Sequence, residues 1–95
     1  MITILVSVDV IPEHVEEFIR DTLHARTIYL ESEVGCKEYS LVQDINDSTK
    51  ITLIEKFVDE EAIEIHRNHY TFLEWRNKVQ DMMATARKST KNITL

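Results

Sequence analysis

Residues 36–57, CKEYSLVQDINDSTKITLIEKF, decide the fold because they predict a β-hairpin. Two runs, Cys36–Gln43 and Lys50–Phe57, are rich in β-branched and aromatic residues and read as the second and third strands. Between them lies Asp44–Ser48, DINDS, whose Asp, Asn and Ser side chains favour turns. Strands joined by so short a connection pair antiparallel, so a hairpin forms the middle of the chain.

The residues before the hairpin predict one strand and one helix. Residues 2–10, ITILVSVDV, alternate large β-branched residues with smaller or polar ones, which is the period of a strand. Pro12 suits the first turn of a helix, and the acidic residues that follow it suit the positive end of the helix dipole. The helix should end near Ser32–Glu33. Its apolar face is predicted to carry Val15, Phe18, Ile19, Thr22, Ala25 and Tyr29.

The residues after the hairpin predict a second helical region and a last strand. Asp59 is a suitable N-cap for a helix that begins at Glu60. The pair Asn68-His69 indicates a break, after which a longer helical stretch continues. Residues 88–95 have modest strand character. The apolar spacing of the longer stretch is carried by Phe72, Trp75, Val79, Met82 and Met83.

The order of these elements, βαββαβ, predicts a ferredoxin-like α+β fold for residues 1–95 as a single domain. Right-handed crossovers place two helices on one face of a four-stranded antiparallel sheet. The other face, which includes Leu5, is then left bare. Because an uncovered apolar sheet face indicates an interface, we expect a homodimer in which two sheets close into a dimeric α+β barrel.

Composition excludes several classes of partner. The chain has 11 basic and 17 acidic residues and a net charge of −6, which disfavours nucleic acid as a partner. No run approaches the roughly 18 apolar residues that span a bilayer, so no membrane association is expected. A single cysteine, Cys36, cannot form a disulfide within the chain, and no positively charged start precedes an apolar stretch. We expect a cytoplasmic protein.

A longer pattern of ordered residues extends over residues 2–83. It consists of Gly35-Cys36, Tyr39, the acidic turn DINDS, Glu55 two residues before Phe57, the acidic helix start Asp59–Ala62, and His66. This pattern resembles that of the antibiotic biosynthesis monooxygenase domain family. The resemblance implies a dimeric α+β barrel. No bound cofactor is expected, because the sequence lacks a Gly-rich phosphate loop.

The chemistries known in that family include cofactor-free oxidation of phenols and quinols, haem degradation, and isomerisation of a phosphorylated signal. The haem-degrading members use an Asn, a Trp and a His, and the matching positions here hold Ser7, His66 and Arg76. The isomerase pattern has a Ser and a His after the helix-terminal His, and this chain has His69 and Thr71 there. Oxidation of a phenol or quinol is the chemistry that fits best.

Cofactor-free oxygenation requires a base, donors for the developing negative charge, and a dry pocket. His66 is the candidate catalytic base, with Glu55 and Tyr39 as candidate catalytic partners. Each residue also has a structural interpretation. His66 could cap a helix, Glu55 could pair with an arginine or lysine, and Tyr39 could be a packing residue.

Four more residues are candidates for contact with the substrate: Ser7, His69, Phe72 and Trp75. Phe72 and Trp75 would line a pocket between the helices and the sheet, with His66 at its mouth, or else simply form core. His66 and His69 are three residues apart on a helix, but no third ligand is evident, so no metal is expected.

Three functional hypotheses therefore stay open. The first is a cofactor-free monooxygenase acting on a small phenolic, quinol or quinone-like molecule. The second is a dimeric module that binds a small aromatic ligand without changing it. The third is an isomerase or hydrolase of a small oxygenated metabolite.

Overall fold

The computed structural model describes residues 1–95. The strands and helices follow the predicted order, with the second helical region divided into two helices. 3-10 turns at Pro12–His14 and Gln80–Met82 precede the first helix and follow the last. None of the helices combines the length and the apolar character needed to cross a membrane. The elements are β1 (Ile2–Asp9), α1 (Val15–Ser32), β2 (Cys36–Gln43), β3 (Lys50–Phe57), α2 (Glu60–Asn68), α3 (Tyr70–Val79) and β4 (Lys88–Ile93).

The four strands form one antiparallel sheet in the order β2-β3-β1-β4. At the centre, Val6 of β1 lies opposite Leu53 of β3 and Ser89 of β4. Alternate residues of β1 are buried, whereas Leu5 on the other face is 38% exposed. The predicted ferredoxin-like α+β fold is confirmed.

One extra residue in β2 sets which side chains face the helices. A β-bulge lies between Cys36 and Glu38, so Glu38 pairs with Lys56 and Tyr39 pairs with Glu55. Without the bulge, regular pairing from Cys36 would place Glu38 opposite Glu55. The bulge therefore brings a buried tyrosine, and not a second carboxylate, beside Glu55.

The predicted break in the second helical region is present and has a local cause. Asp59 begins α2 by accepting the N–H of Ala62 at 2.9 Å. The α2 helix ends at Asn68, and His69 takes an extended conformation. The Nδ1 of His69 accepts the N–H of Thr71 at 3.0 Å, so this histidine is the N-cap of α3.

The predicted helical stretch through Met82 and Met83 was too long. The α3 helix ends at Val79, and Met83 forms an isolated β-bridge with Val10. The carbonyl of Met82 accepts the N–H of Ile11 at 2.8 Å. Because these backbone groups pair with the segment that follows β1, they cannot form the hydrogen bonds of a helix.

Gly35 allows the loop after α1 to approach α2 closely. A Cβ atom built on Gly35 would lie 2.5 Å from the Cβ of Ala62 and 3.2 Å from Cγ2 of Val58. Ala62 and His66 are four residues apart and therefore share one face of α2. The glycine thus sets the distance between the face that carries His66 and the loop that begins at Glu33.

Candidate active site

A cavity of about 290 Å³ lies between the sheet and the helices α2 and α3. Its floor comes from inward-facing residues of β1 and β3, and its walls come from α2, α3 and the start of β4. The lining residues are Ile4, Val6, Leu53, Glu55, Ile63, His66, Arg67, Phe72, Trp75, Arg76, Arg87 and Ser89.

His66 is held in the wall of this cavity by Glu33. The imidazole is 3% exposed, and its Nδ1 lies 3.0 and 3.2 Å from the two carboxylate oxygens of Glu33. Glu33 itself is buried directly after the last turn of α1. Because a carboxylate only accepts, Nδ1 of His66 is the donor, which leaves Nε2 with a free lone pair when the ring is neutral.

Glu55 lies on the other edge of the imidazole. Nε2 of His66 is 3.8 Å from Oε1 of Glu55, which is too long for a direct hydrogen bond. Burial raises the pKa of the Glu55 carboxyl, although His66, Arg67 and Arg87 act to lower it. An oxygen atom about 2.8 Å from both groups would complete a triangle with them, as a substrate hydroxyl can.

Aromatic rings surround the imidazole of His66, which is 3% exposed. Two of them, Tyr29 and Tyr39, carry hydroxyls whose pKa is raised, mainly by burial, so both stay protonated at neutral pH. The Tyr29 hydroxyl is buried without a hydrogen-bond partner. The distances from the His66 ring centroid are 4.4 Å to Tyr29, 5.1 Å to Phe57, 5.3 Å to Phe72 and 6.1 Å to Tyr39.

Phe72 and Trp75 form an aromatic wall of the cavity. The centroids of the two rings are 6.0 Å apart. The Nε1–H of Trp75 donates to the Thr22 hydroxyl of α1 at 2.9 Å, which fixes the orientation of the indole. A flat apolar molecule in the cavity would therefore meet a rigid aromatic surface next to His66.

Residues 1–78 match the family described as antibiotic biosynthesis monooxygenase. The chain belongs to this family. The match includes β1 to β3, all of α2 and nearly all of α3, and so covers His66, Glu55 and the aromatic wall of the cavity. No curated protein matches the chain.

Solved structures of other bacterial proteins share the fold. A Nitrosomonas europaea protein described as a candidate antibiotic biosynthesis monooxygenase is 25% identical, with a TM-score of 0.95 over 100% of this chain and 99% of its own. A Pseudomonas aeruginosa protein is 26% identical, with a TM-score of 0.88 over 99% and 93%. Family membership and the name of the first neighbour support a monooxygenase-like function.

Among the residues that the sequence singled out, four meet at the cavity: His66, Glu55, Phe72 and Trp75. His66 lies inside the wall and not at the mouth, because the face of α2 that carries it packs on the sheet. Tyr39 is 3% exposed and lies behind the imidazole, away from the cavity lining.

Ser7 and His69 lie outside the cavity. Ser7 sits between the inward-facing Val6 and Val8 of β1, so its side chain is on the exposed, opposite face of the sheet. His69 lies in a shallow cleft on the outer side of α2, and its Nδ1 is already used to cap α3. Neither position allows contact with a molecule bound next to His66.

Four functional candidates were missed from the sequence: Glu33, Arg67, Arg76 and Arg87. Glu33 was read only as the end of a helix, because nothing local shows that it meets His66, which is 33 residues away. An arginine or lysine was expected as a possible partner of Glu55, but the sequence does not show which arginines approach it. Their convergence on one cavity depends on the packing of α2, α3 and β4.

Cys36 is not a nucleophile. It is 5% exposed, and burial, reinforced by the nearby carboxylates of Glu33 and Glu55, raises the pKa of its thiol to about 12. No three side chains among His, Cys, Asp and Glu converge to hold a metal ion. Glu33 and Glu55 lie at opposite edges of the His66 ring.

Proposed function

We propose that this protein is a cofactor-independent monooxygenase that oxidises a small phenolic or quinol-type molecule. One observation carries the proposal: the buried His66 is fixed by Glu33 through Nδ1 and directs Nε2 to the cavity beside Glu55. A base held in one tautomer and shielded from water is what removal of a phenolic proton requires.

The size of the cavity limits the substrate. Its volume of about 290 Å³ is just below the roughly 300–1,000 Å³ found for small-molecule sites. The aromatic wall of Phe72 and Trp75 suits a flat molecule. We therefore expect a substrate with one or two fused rings.

In the first step, Nε2 of His66 accepts the proton of the substrate hydroxyl. The carboxylate of Glu33 then faces an imidazolium and stabilises it. Negative charge develops on the substrate oxygen, where the guanidinium groups around the cavity favour it. The protein supplies the base and the electrostatic environment, and the substrate anion supplies the electrons.

In the oxidation step, dioxygen is the oxidant and takes four electrons from the arene. For 1-naphthol, one oxygen atom forms the new carbonyl at the ring carbon opposite the hydroxyl. The other oxygen leaves as water with the hydroxyl hydrogen and the hydrogen of that carbon. The products are one 1,4-naphthoquinone and one water per dioxygen consumed.

Oxygen uptake and quinone absorbance with 1-naphthol test the proposal. His66→Gln should lower kcat/KM by about 10²–10⁴-fold, the usual effect of losing an aligned general base. His24→Gln, on the exposed side of α1, is the matched control and should keep the wild-type rate. A folded His66→Gln protein with wild-type turnover would overturn the assignment. Absence of oxygen uptake across a panel of one- and two-ring phenols and quinols, with and without a carboxylate substituent, would also overturn it.

A second candidate function is the binding of a small aromatic molecule without reaction. The observation in its favour is that the wall of Phe72 and Trp75 would hold a ring whether or not His66 removes a proton. Thermal stabilisation by naphthols without oxygen consumption would support this alternative over the enzyme.

We further propose that the protein is a homodimer. The sheet face opposite the helices has no covering layer within the chain. Leu5 on this face is 38% exposed and Val42 is 48% exposed. A second copy packed on this face would cover both residues.

A further inference from the structure

We infer that the cavity takes an aromatic carboxylate, and that Arg76 and Arg87 bind its negatively charged group. This is the substrate class of the proposed enzyme. Only the oxidation of the ring rests on the proposed function; binding of the carboxylate does not. It follows from the charges at the cavity, the lack of partners for those charges, and their position against the aromatic wall.

Positive charge is concentrated at this cavity. Arg67 of α2, Arg76 of α3 and Arg87 before β4 all line it, whereas Glu55 is the only carboxylate that does. The chain as a whole has a net charge of −6. The charge of the three guanidinium groups at this site is therefore opposite in sign to the net charge of the chain. These groups create a local field that attracts anions.

The three arginines have no acidic partner. The ion pairs formed by basic side chains other than histidine use Arg20, Lys50, Lys56 and Lys91, and no carboxylate oxygen lies within 4.0 Å of Arg67, Arg76 or Arg87. An arginine fork is suited to bind a carboxylate through two parallel hydrogen bonds. These forks remain available to a ligand.

Arg76 and Arg87 lie against the wall on which a ring would rest. Their guanidinium carbons are 6.0 and 5.9 Å from the centroid of the Phe72 ring, and that of Arg87 is 5.6 Å from the Trp75 ring. A flat ligand on this wall would place a ring substituent within reach of both groups. The aromatic wall and the two arginines thus fit one molecule.

The charges also act on the floor of the cavity. Arg67 and Arg87 lower the pKa of Glu55, in opposition to the larger effect of burial. The same field would stabilise a phenolate formed by proton transfer to His66. A carboxylate bound to Arg76 and Arg87 would therefore orient the ring. The remaining positive charge at the cavity would stabilise the negative charge on the phenolate oxygen.

Binding of 2-naphthoate and of its neutral analogue 2-naphthamide tests the inference without any oxidation. Trp75 is the only tryptophan and lines the cavity, so the ¹⁵N-labelled protein has one indole N–H signal that reports on the site. Titration of that signal gives the Kd of each ligand. We expect 2-naphthoate to bind about tenfold or more tightly than 2-naphthamide, the difference that a charge-assisted contact gives.

Substitutions locate the charge effect. Arg87→Gln and Arg76→Gln should each weaken 2-naphthoate about tenfold and leave 2-naphthamide within about twofold. Arg20→Gln removes the same charge from the exposed side of α1 and should change neither Kd. Having two cavity variants keeps the test informative if one of them does not fold.

The inference is wrong if 2-naphthamide binds as tightly as 2-naphthoate, or if Arg20→Gln weakens 2-naphthoate as much as the cavity variants do. The proposed function fails separately. If the carboxylate binds as expected but no phenol, including 1-hydroxy-2-naphthoate, consumes oxygen, then the anion site stands and the monooxygenase proposal does not.

Discussion

Glu33 and His66 depend on each other, because each is the hydrogen-bond partner of the other. If either side chain were removed, the polar atoms of the other would be buried without a partner. The imidazole is 3% exposed and the carboxylate residue is 7% exposed. Removing one partner of a buried pair leaves a charged or polar group unpaired, which destabilises a protein more than the pair itself stabilises it. Loss of activity in a His66 variant therefore has to be measured on protein shown to be folded.

Glu55 should make the free energy of unfolding depend on pH. Burial raises its pKa, so between the ordinary glutamate value and the raised value the folded state binds more protons than the unfolded state. Stability due to this group is therefore lost as pH rises through that window. Glu55→Gln, which stays uncharged, should raise Tm relative to wild type more at pH 8 than at pH 4.5.

Thermal unfolding followed by circular dichroism across this range measures the effect. Glu64→Gln, on the exposed side of α2, is the matched control and should show a Tm difference that hardly changes with pH. A Glu55→Gln difference that is equal at both pH values would contradict the raised pKa.

At the level of elements, the contact between Gly35 and α2 sets the distance between Glu33 and His66. Gly35→Ala would place its Cβ 2.5 Å from that of Ala62, so the loop or the helix must move. Overpacking of this kind destabilises by about 1–3 kcal/mol. Because the loop carries Glu33 and the helix carries His66, the same movement should also reduce turnover. Urea unfolding and kcat/KM with 1-naphthol measure the two effects.

A second substitution shows whether the clash is the cause. Ala62→Gly makes room for the new methyl group and by itself costs up to about 1 kcal/mol, because glycine is a poorer helix former than alanine. The double variant should be more stable than the sum of the two single effects, by a coupling of about 0.5–3 kcal/mol. Additive effects would show that Gly35 acts through some other contact.

Much of this architecture was predictable because its signals are local. The alternation in β3 and the turn residues of DINDS are visible within a few positions, and the predicted bounds of β2 and β3 match the structure. The Asp59 cap and the break after Asn68 also follow from side chains next to the backbone that they serve.

The parts that were missed depend on contacts between distant segments. The bulge after Cys36 and the bridge from Val10 to Met83 are set by tertiary pairing. Ser7 was chosen from its place in a family pattern, although the alternation of β1 between Val6 and Val8 already pointed it to the other face. The Glu33–His66 contact joins the end of α1 to α2. No periodic pattern in the sequence indicates such a contact.

At the level of the whole molecule, the uncovered sheet face should make the protein a dimer. We expect sedimentation equilibrium to give twice 11.2 kDa at micromolar concentration. Stable interfaces bury about 1,600 Å² in total, and the outer face offers Leu5, Val42 and the half-buried Ile54 to such a contact. Leu5→Glu should shift the protein toward the monomer, because it would bury a charge at the centre of the interface.

Ile45→Glu is the matched control, because Ile45 is 99% exposed in the turn between β2 and β3. It should leave the mass unchanged. A monomeric wild-type protein would contradict the prediction, and so would a Leu5→Glu protein that remains fully dimeric.

The pairing of β1 with β4 has a consequence for the nascent chain on the ribosome. Ile2 pairs with Ile93, and the N–H of Thr94 donates to the carbonyl of Met1 at 3.0 Å. Synthesis at about 5–20 residues per second therefore leaves one edge of β1 without a neighbour for roughly 5–20 seconds. An open strand edge can recruit other chains. β1, an inner strand of the folded sheet, is thus open to pairing with other chains until β4 has emerged.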